Sequence, residues 1–190
     1  MKEYTIFADY HIGHPFGIEP AFSFNENTVF LGDNFDVKNA LKNKLSEIVR
    51  LREKTINNCE NSGGIYISGN HSLEPITNKS KLIAIRNGIL FTHGDIIGFG
   101  SKSANLYRTL FSPGKNKFFW VILKGWRKLF PGTSSRFTKK QIKRMIELVK
   151  QNNCKTLVMG HFHTKNGVID FVKNGIRIVV VPRGKTVIKL

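Results

Sequence analysis

Five short apolar runs, each ending in a cluster of histidine, acid or amide, constrain this chain more than any other feature. Tyr4 to Ala8 runs into Asp9-Tyr10-His11, Thr28 to Leu31 into Gly32-Asp33, and Gly64 to Ser68 into Gly69-Asn70-His71. Ile89 to Thr92 ends at His93, and Thr156 to Met159 ends at Gly160-His161-Phe162-His163. Runs of this length, rich in β-branched and aromatic residues, read as strands. Loops at one edge of a sheet converge in space, so five such ends can build a single site. Five of the six histidines lie in these clusters, where chance would scatter them.

Between the strands the pattern changes period. Asp36 to about Asn58 carries Val37, Leu41, Leu45, Ile48 and Leu51 at helical spacing, with Asp36 read as the N-cap. Thr138 to Gln151 reads as a second amphipathic helix. Leu82 to Ile85 and Ile89 to Thr92 flank Arg86-Asn87-Gly88, a tight hairpin turn. The tail reads as two hairpins, turned at Lys173-Asn174-Gly175 and at Pro182-Arg183-Gly184. Helices alternating with strands early, and hairpins late, favour a layered α/β domain with two packed sheets. A chain of 190 residues fits one such domain, 1–190. Residues 96–137, rich in Gly, Ser, Lys and aromatics, read as a cap or lid inserted into it.

The residue types in the clusters match one chemistry. Carboxylate oxygen, imidazole nitrogen and amide oxygen suit divalent ions such as manganese, iron, zinc or cobalt. Thiolate is absent from the clusters, which argues against a structural zinc site. Asp9 and His11 are two apart, as are His161 and His163, so each pair projects to one side if strand geometry persists. One carboxylate can bridge two cations about 3.5–4 Å apart, and such a pair ionises a water and clamps a phosphoryl group.

Read together as ADYH, GDNFD, GNHS, THGD and GHFH, in that order, the clusters resemble those of the calcineurin-like metallophosphoesterases. The resemblance implies a four-layer sandwich, two mixed β-sheets between helices, and two divalent ions, manganese first among the candidates. It implies that Asp9, His11 and His163 hold one ion, that Asn70, His93 and His161 hold the other, and that Asp33 bridges them. It implies that His71 contacts the phosphate and protonates the leaving oxygen, so that Asp33 and His71 are the catalytic pair. Many members carry an acid after Gly-Asn-His that helps orient the histidine; here the position is Ser72. In the family, Asp36 follows the bridging acid as a supporting residue or a helix cap. His14 reads as a solvated loop histidine or as a group facing substrate.

Charge bears on partners. The formal charge is +17, and residues 101–148 hold 12 of the 30 Lys and Arg but a single acid, Glu147. Such an excess attracts anions: a phosphorylated substrate, a membrane surface or nucleic acid. Lys117 to Phe130 interleaves bases with Phe118, Phe119, Trp120 and Trp126. That pattern fits a packed cap helix, a helix at a lipid surface, or a single-strand binding segment. The short length and the insertion look like the bacterial UDP-2,3-diacylglucosamine pyrophosphatase branch of the family, which commonly has Arg where this chain has His71. The branch implies a nucleotide-linked glycolipid. The alternatives are a nucleic-acid or nucleotide phosphodiesterase and a non-catalytic metal-binding module. Two cysteines, no signal-peptide pattern and no apolar run long enough to span a bilayer lead to the expectation of a cytoplasmic protein, with peripheral membrane contact through the insertion.

Overall fold

The computed structural model describes residues 1–14, 21–40, 42–72, 81–99, 137–164 and 167–190. One sheet contains β1 (Glu3–Ala8), β2 (Thr28–Leu31), β3 (Ile65–Ile67) and β9 (Gly184–Lys189), in the order β3-β2-β1-β9. The other contains β4 (Ile83–Arg86), β5 (Ile89–Thr92), β6 (Thr156–Met159), β7 (Ile169–Lys173) and β8 (Ile176–Val180), in the order β4-β5-β6-β8-β7. Both are mixed. The neighbours β1, β2 and β3 are parallel, as are β5, β6 and β8, while β9, β4 and β7 pair antiparallel at the edges.

Side-chain alternation along the strands makes the layers. Tyr4, Ile6, Val29, Leu31, Ile65 and Ile67 of the first sheet pack against Ile89, Phe91, Val158 and Val179 of the second. The intervening Phe7, Phe30 and Tyr66 point the other way, onto Ile48, Ile56 and Cys59 of α1 (Leu45–Asn61). On the far side Leu90, Leu157, Met159 and Ile178 lie under α2 (Asp95–Phe99) and α3 (Lys139–Gln151), against Ile97, Met145 and Val149. Helix, sheet, sheet, helix is the four-layer α/β sandwich expected. Thr138 starts α3 as a capping box: its Oγ1 accepts from Gln141 N at 3.2 Å, and Gln141 Oε1 accepts from Thr138 N at 2.9 Å. Ile96 and Ile97 belong to this outer core. The rest of the expected insertion, 100–136, lies outside the described residues, and so does Leu41.

Two sequence expectations give way. The helix does not begin at Asp36; a short 3-10 turn, Lys42–Lys44, leads into α1 at Leu45, and its N-cap, Lys44, makes no side-chain cap. The Asp36 carboxylate is taken by side chains of the site described below. The second tail hairpin also fails. Asn174-Gly175 does turn β7 into β8, with left-handed φ of 51° and 74°. But β8 already has β6 on one side and β7 on the other. With no free edge beside β8, the chain crosses at Pro182-Arg183 to the other sheet, where β9 pairs with β1 from Glu3↔Lys189 to Ala8↔Gly184.

Phe91 is fully buried between the sheets, its ring 5.5 Å from that of Tyr4. Phe91→Ala is expected to cost about 3–5 kcal/mol of unfolding free energy, read from urea denaturation. A loss under about 1 kcal/mol would mean that the two sheets do not share this core.

Candidate metal centre

The C-terminal ends of β1, β2, β3, β5 and β6 meet at one edge of the sandwich. None of the ligand pairs there keeps strand geometry. Asp9, His11, Asp33, His161 and His163 all take left-handed backbone, with φ between 43° and 71°. Among the described non-glycine residues only Asn87, Asn153 and Asn174 share that conformation. Asparagine adopts it readily in turns; a cluster of acids and histidines in it marks a site under constraint. The spacing argument for both pairs is therefore corrected: the chain leaves the strand before the first ligand of each. Asp9 and His11 still converge, with His163, but His161 goes to a second group with Asp33 and His93.

The loops are tied to one another through the acids. Asp9 Oδ2 accepts from the His161 main-chain N–H at 2.9 Å. Asp33 Oδ1 accepts from the His71 N–H at 2.7 Å. Each acid thereby has one oxygen fixed and one turned to the centre. Asp9 Oδ1 lies 3.3 Å from His163 Nε2, and Asp33 Oδ2 lies 3.0 Å from His93 Nε2. His93 Nδ1 donates to Leu31 O at 3.0 Å, which leaves Nε2 facing the acids, and Nε2 is 3.1 Å from His161 Nδ1 and 4.0 Å from Asp9 Oδ1. The two groups are thus adjacent. Glycine is needed where they close: a Cβ on Gly32 would overlap the His93 ring, and one on Gly69 would overlap Asp33.

A third group, His11, Asp36 and His71, adjoins the first. Asp36 is almost fully buried, and its Oδ2 lies 3.3 Å from His11 Nδ1 and 3.2 Å from His71 Nδ1. It also accepts from Asn39 N and Nδ2, at 3.0 and 2.9 Å. This carboxylate supplies the orienting acid that Ser72 does not. Ser72 is buried, and its carbonyl accepts from Arg52 of α1 at 2.6 Å. His14 is half-buried, and within reach of the charges of Asp36, His11, His71 and Arg183. Sequence reasoning left Asp36 between a helix start and a residue supporting the site, and placed Arg52 and Arg183 nowhere in the site; no spacing signal marks either arginine.

Do these residues fit metal ions? Separations of 3.0–3.3 Å between ligand atoms match neighbours around an ion with bonds of about 2.0–2.2 Å. Asn70 Oδ1 is buried with no hydrogen-bond partner, an arrangement that a cation would satisfy. The electrostatics agree. Burial alone would raise the carboxyl groups of Asp9, Asp33 and Asp36; the surrounding histidines outweigh it and hold all three below the usual range. Burial would likewise neutralise His93, but the charges of Asp33 and Asp9 push it up to about 10. Burial and then the charge of His93 bring His161 down to about 4. The metal-free site keeps a proton where the acids call for a cation.

The family model of calcineurin-like phosphoesterases matches residues 4–165. No curated protein matches the chain. Among solved structures, a conserved uncharacterized protein from Streptococcus pneumoniae, described as a predicted phosphoesterase, is similar at 12% identity. That match covers 100% of this chain and 85% of the other, with a TM-score of 0.35.

Because His93 binds its proton up to about pH 10, an ion entering at neutral pH must displace it. Metal binding at pH 7.5 is expected to release at least about one proton per chain, and apparent affinity to rise with pH toward 10. Calorimetry in buffers of different ionisation enthalpy measures the release; binding with no proton released would refute it.

Proposed function

The chain belongs to the calcineurin-like phosphoesterase family, and on that premise we propose that it hydrolyses a phosphoanhydride or phosphodiester bond with two divalent ions of the manganese class. In this reading Asp9, His11 and His163 hold one ion, Asn70, His93 and His161 hold the other, and Asp33 lies between. The observation that carries it is the adjacency of the two acid–histidine groups, His93 Nε2 standing 3.0 Å from Asp33 and 4.0 Å from Asp9. When bound, such ions acidify water and neutralise phosphoryl oxygens during in-line attack.

The chain's own residues do the rest. Asp36 receives Nδ1 of both His11 and His71, which leaves Nε2 of His11 for an ion and Nε2 of His71 for substrate. Burial works against a charged His71, but the charge of Asp33 and the hydrogen bond that the ring donates to Asp36 favour it, which suits the ring to give a proton to the leaving oxygen.

For the substrate, we favour a phosphate ester or anhydride joined to an amphiphile, such as a nucleotide-linked glycolipid, met by the protein at a membrane surface from the cytoplasm. The basic, aromatic segment supports this reading. Phe118, Phe119, Trp120, Trp126 and Phe130 lie within it, and its described flanks sit at the site. On one side α2 begins two residues after His93. On the other, the Phe137 ring stands 5.0 Å from that of Phe162, between His161 and His163. No helix among the described residues is long and apolar enough to cross a membrane.

Two measurements test the proposal. Turnover of a nucleotide-linked glycolipid is expected to exceed that of its deacylated form and of single-stranded DNA and RNA. Nuclease activity falling steeply with salt would overturn the amphiphile reading in favour of nucleic acid. His71→Ala is expected to keep its metal and lose about 10²–10⁴ in kcat on poor leaving groups. The loss should shrink on activated aryl esters, which need no proton; equal losses on both would remove the acid role and leave phosphate positioning.

A further inference from the structure

The Asp9-Tyr10-His11 loop bends twice into left-handed backbone, at φ of 56° and 54°. Side chains of L-residues rarely sit there, so the surroundings must hold the loop. Main-chain bonds do so on one side. Asp9 N donates to Gly32 O at 3.1 Å, His11 N to Asp33 O at 2.9 Å, and Ile12 N to Asn34 O at 2.9 Å. All three tie β1's exit to β2's exit. On the other side, among the described residues, a side chain does. Arg183 Nη2 donates to the Tyr10 carbonyl at 3.0 Å.

The Tyr10–His11 peptide unit is therefore held at both ends, its N–H by Asp33 and its C=O by Arg183. A peptide group is planar, so fixing both ends fixes the plane. That plane sets ψ of Tyr10 and φ of His11, and hence where the His11 ring stands relative to Asp9. Arg183 reaches this point because the chain crosses between sheets at Pro182-Arg183 before β9 pairs with β1. The crossover lies beyond residue 165, where the family match ends.

We propose that Arg183 is a positioning residue for one of the two ion sites, the one formed by Asp9, His11 and His163, and that it acts by clamping the peptide between the first two ligands. The proposal rests on the two-metal reading above. In the other group the Asp33 carboxylate is held by the His71 N–H and the His93 ring by Leu31 O, and neither bond involves the clamped peptide. Loss of the clamp should thus be selective. Arginine suits the place because its planar fork keeps the donor in line with the carbonyl, whereas a lysine offers a mobile single ammonium.

Cobalt(II) titration of the metal-free protein, followed by visible absorption, tests this beside thermal melting of the same metal-free samples. Wild-type protein is expected to take up two ions. Arg183→Met keeps the apolar stem and removes the donor; it should bind one ion as the wild type does and the other about 10–100-fold more weakly. Arg183→Lys should recover part of that loss, and it carries the test if Arg183→Met does not fold. Two unchanged affinities in the folded variants overturn the clamp, as does equal weakening at both sites, the mark of a general loss of structure. Wild-type protein that takes up no cobalt overturns the two-metal reading itself, and the clamp with it.

Discussion

Three carboxylates, Asp9, Asp33 and Asp36, lie almost wholly out of water at one edge of the sandwich. Buried charge of this density is tolerated only when cations and N–H donors surround it. That requirement organises the site. Each acid bonds something from a distant part of the chain: Asp9 the loop after β6, Asp33 the loop after β3, Asp36 the histidines of two motifs. The five loops are thereby fixed to one another, and the left-handed backbone at five of their residues is held in place.

The two sheets serve that edge. A parallel strand ends where its neighbour ends, so β1, β2 and β3 present their exits side by side, and β5 and β6 do the same from the second sheet. Packing Phe91 and Val158 against Ile6 and Leu31 sets the separation of the sheets, and so the reach from His93 to Asp9 and Asp33. The glycines at 32 and 69 let the loops approach without a side chain between them. Function and stability share these contacts. The same acids that could hold cations keep a proton on His93.

The Asp36 carboxylate shows how one side chain can be read in two ways. Its position before an apolar periodic stretch is that of an N-cap, and an N-cap aspartate would accept from helix N–H groups. Here it accepts from a turn, Asn39, and from two imidazoles, and the helix begins only at Leu45. A buried site with two histidines competes better for the carboxylate than the exposed end of a helix does. The same carboxylate stands in for the acid absent at Ser72, so His71 is oriented from before the helix rather than from its own motif.

Hydrophobic period and ligand order determined, from sequence alone, the α/β layering, six strands in nearly their final bounds, the turn at Asn174-Gly175, the helix over Thr138 to Gln151 and the convergence of five motif loops at one edge. Those features are local, or follow from a rule that acts on every sheet. What only the tertiary structure decided is long-range. Whether β9 folds back on β8 depended on which edges were already occupied, and both edges of β8 were. That His161 and His163 part, against what their spacing alone implies, depended on backbone that leaves the strand before the first of them. The bond from Arg183 to Tyr10 joins residues 173 apart in the chain and exists because the crossover happens to pass that carbonyl. Contacts of that separation leave no periodic trace in a single sequence; they are set when the sheets close and the last strand finds the free edge of β1.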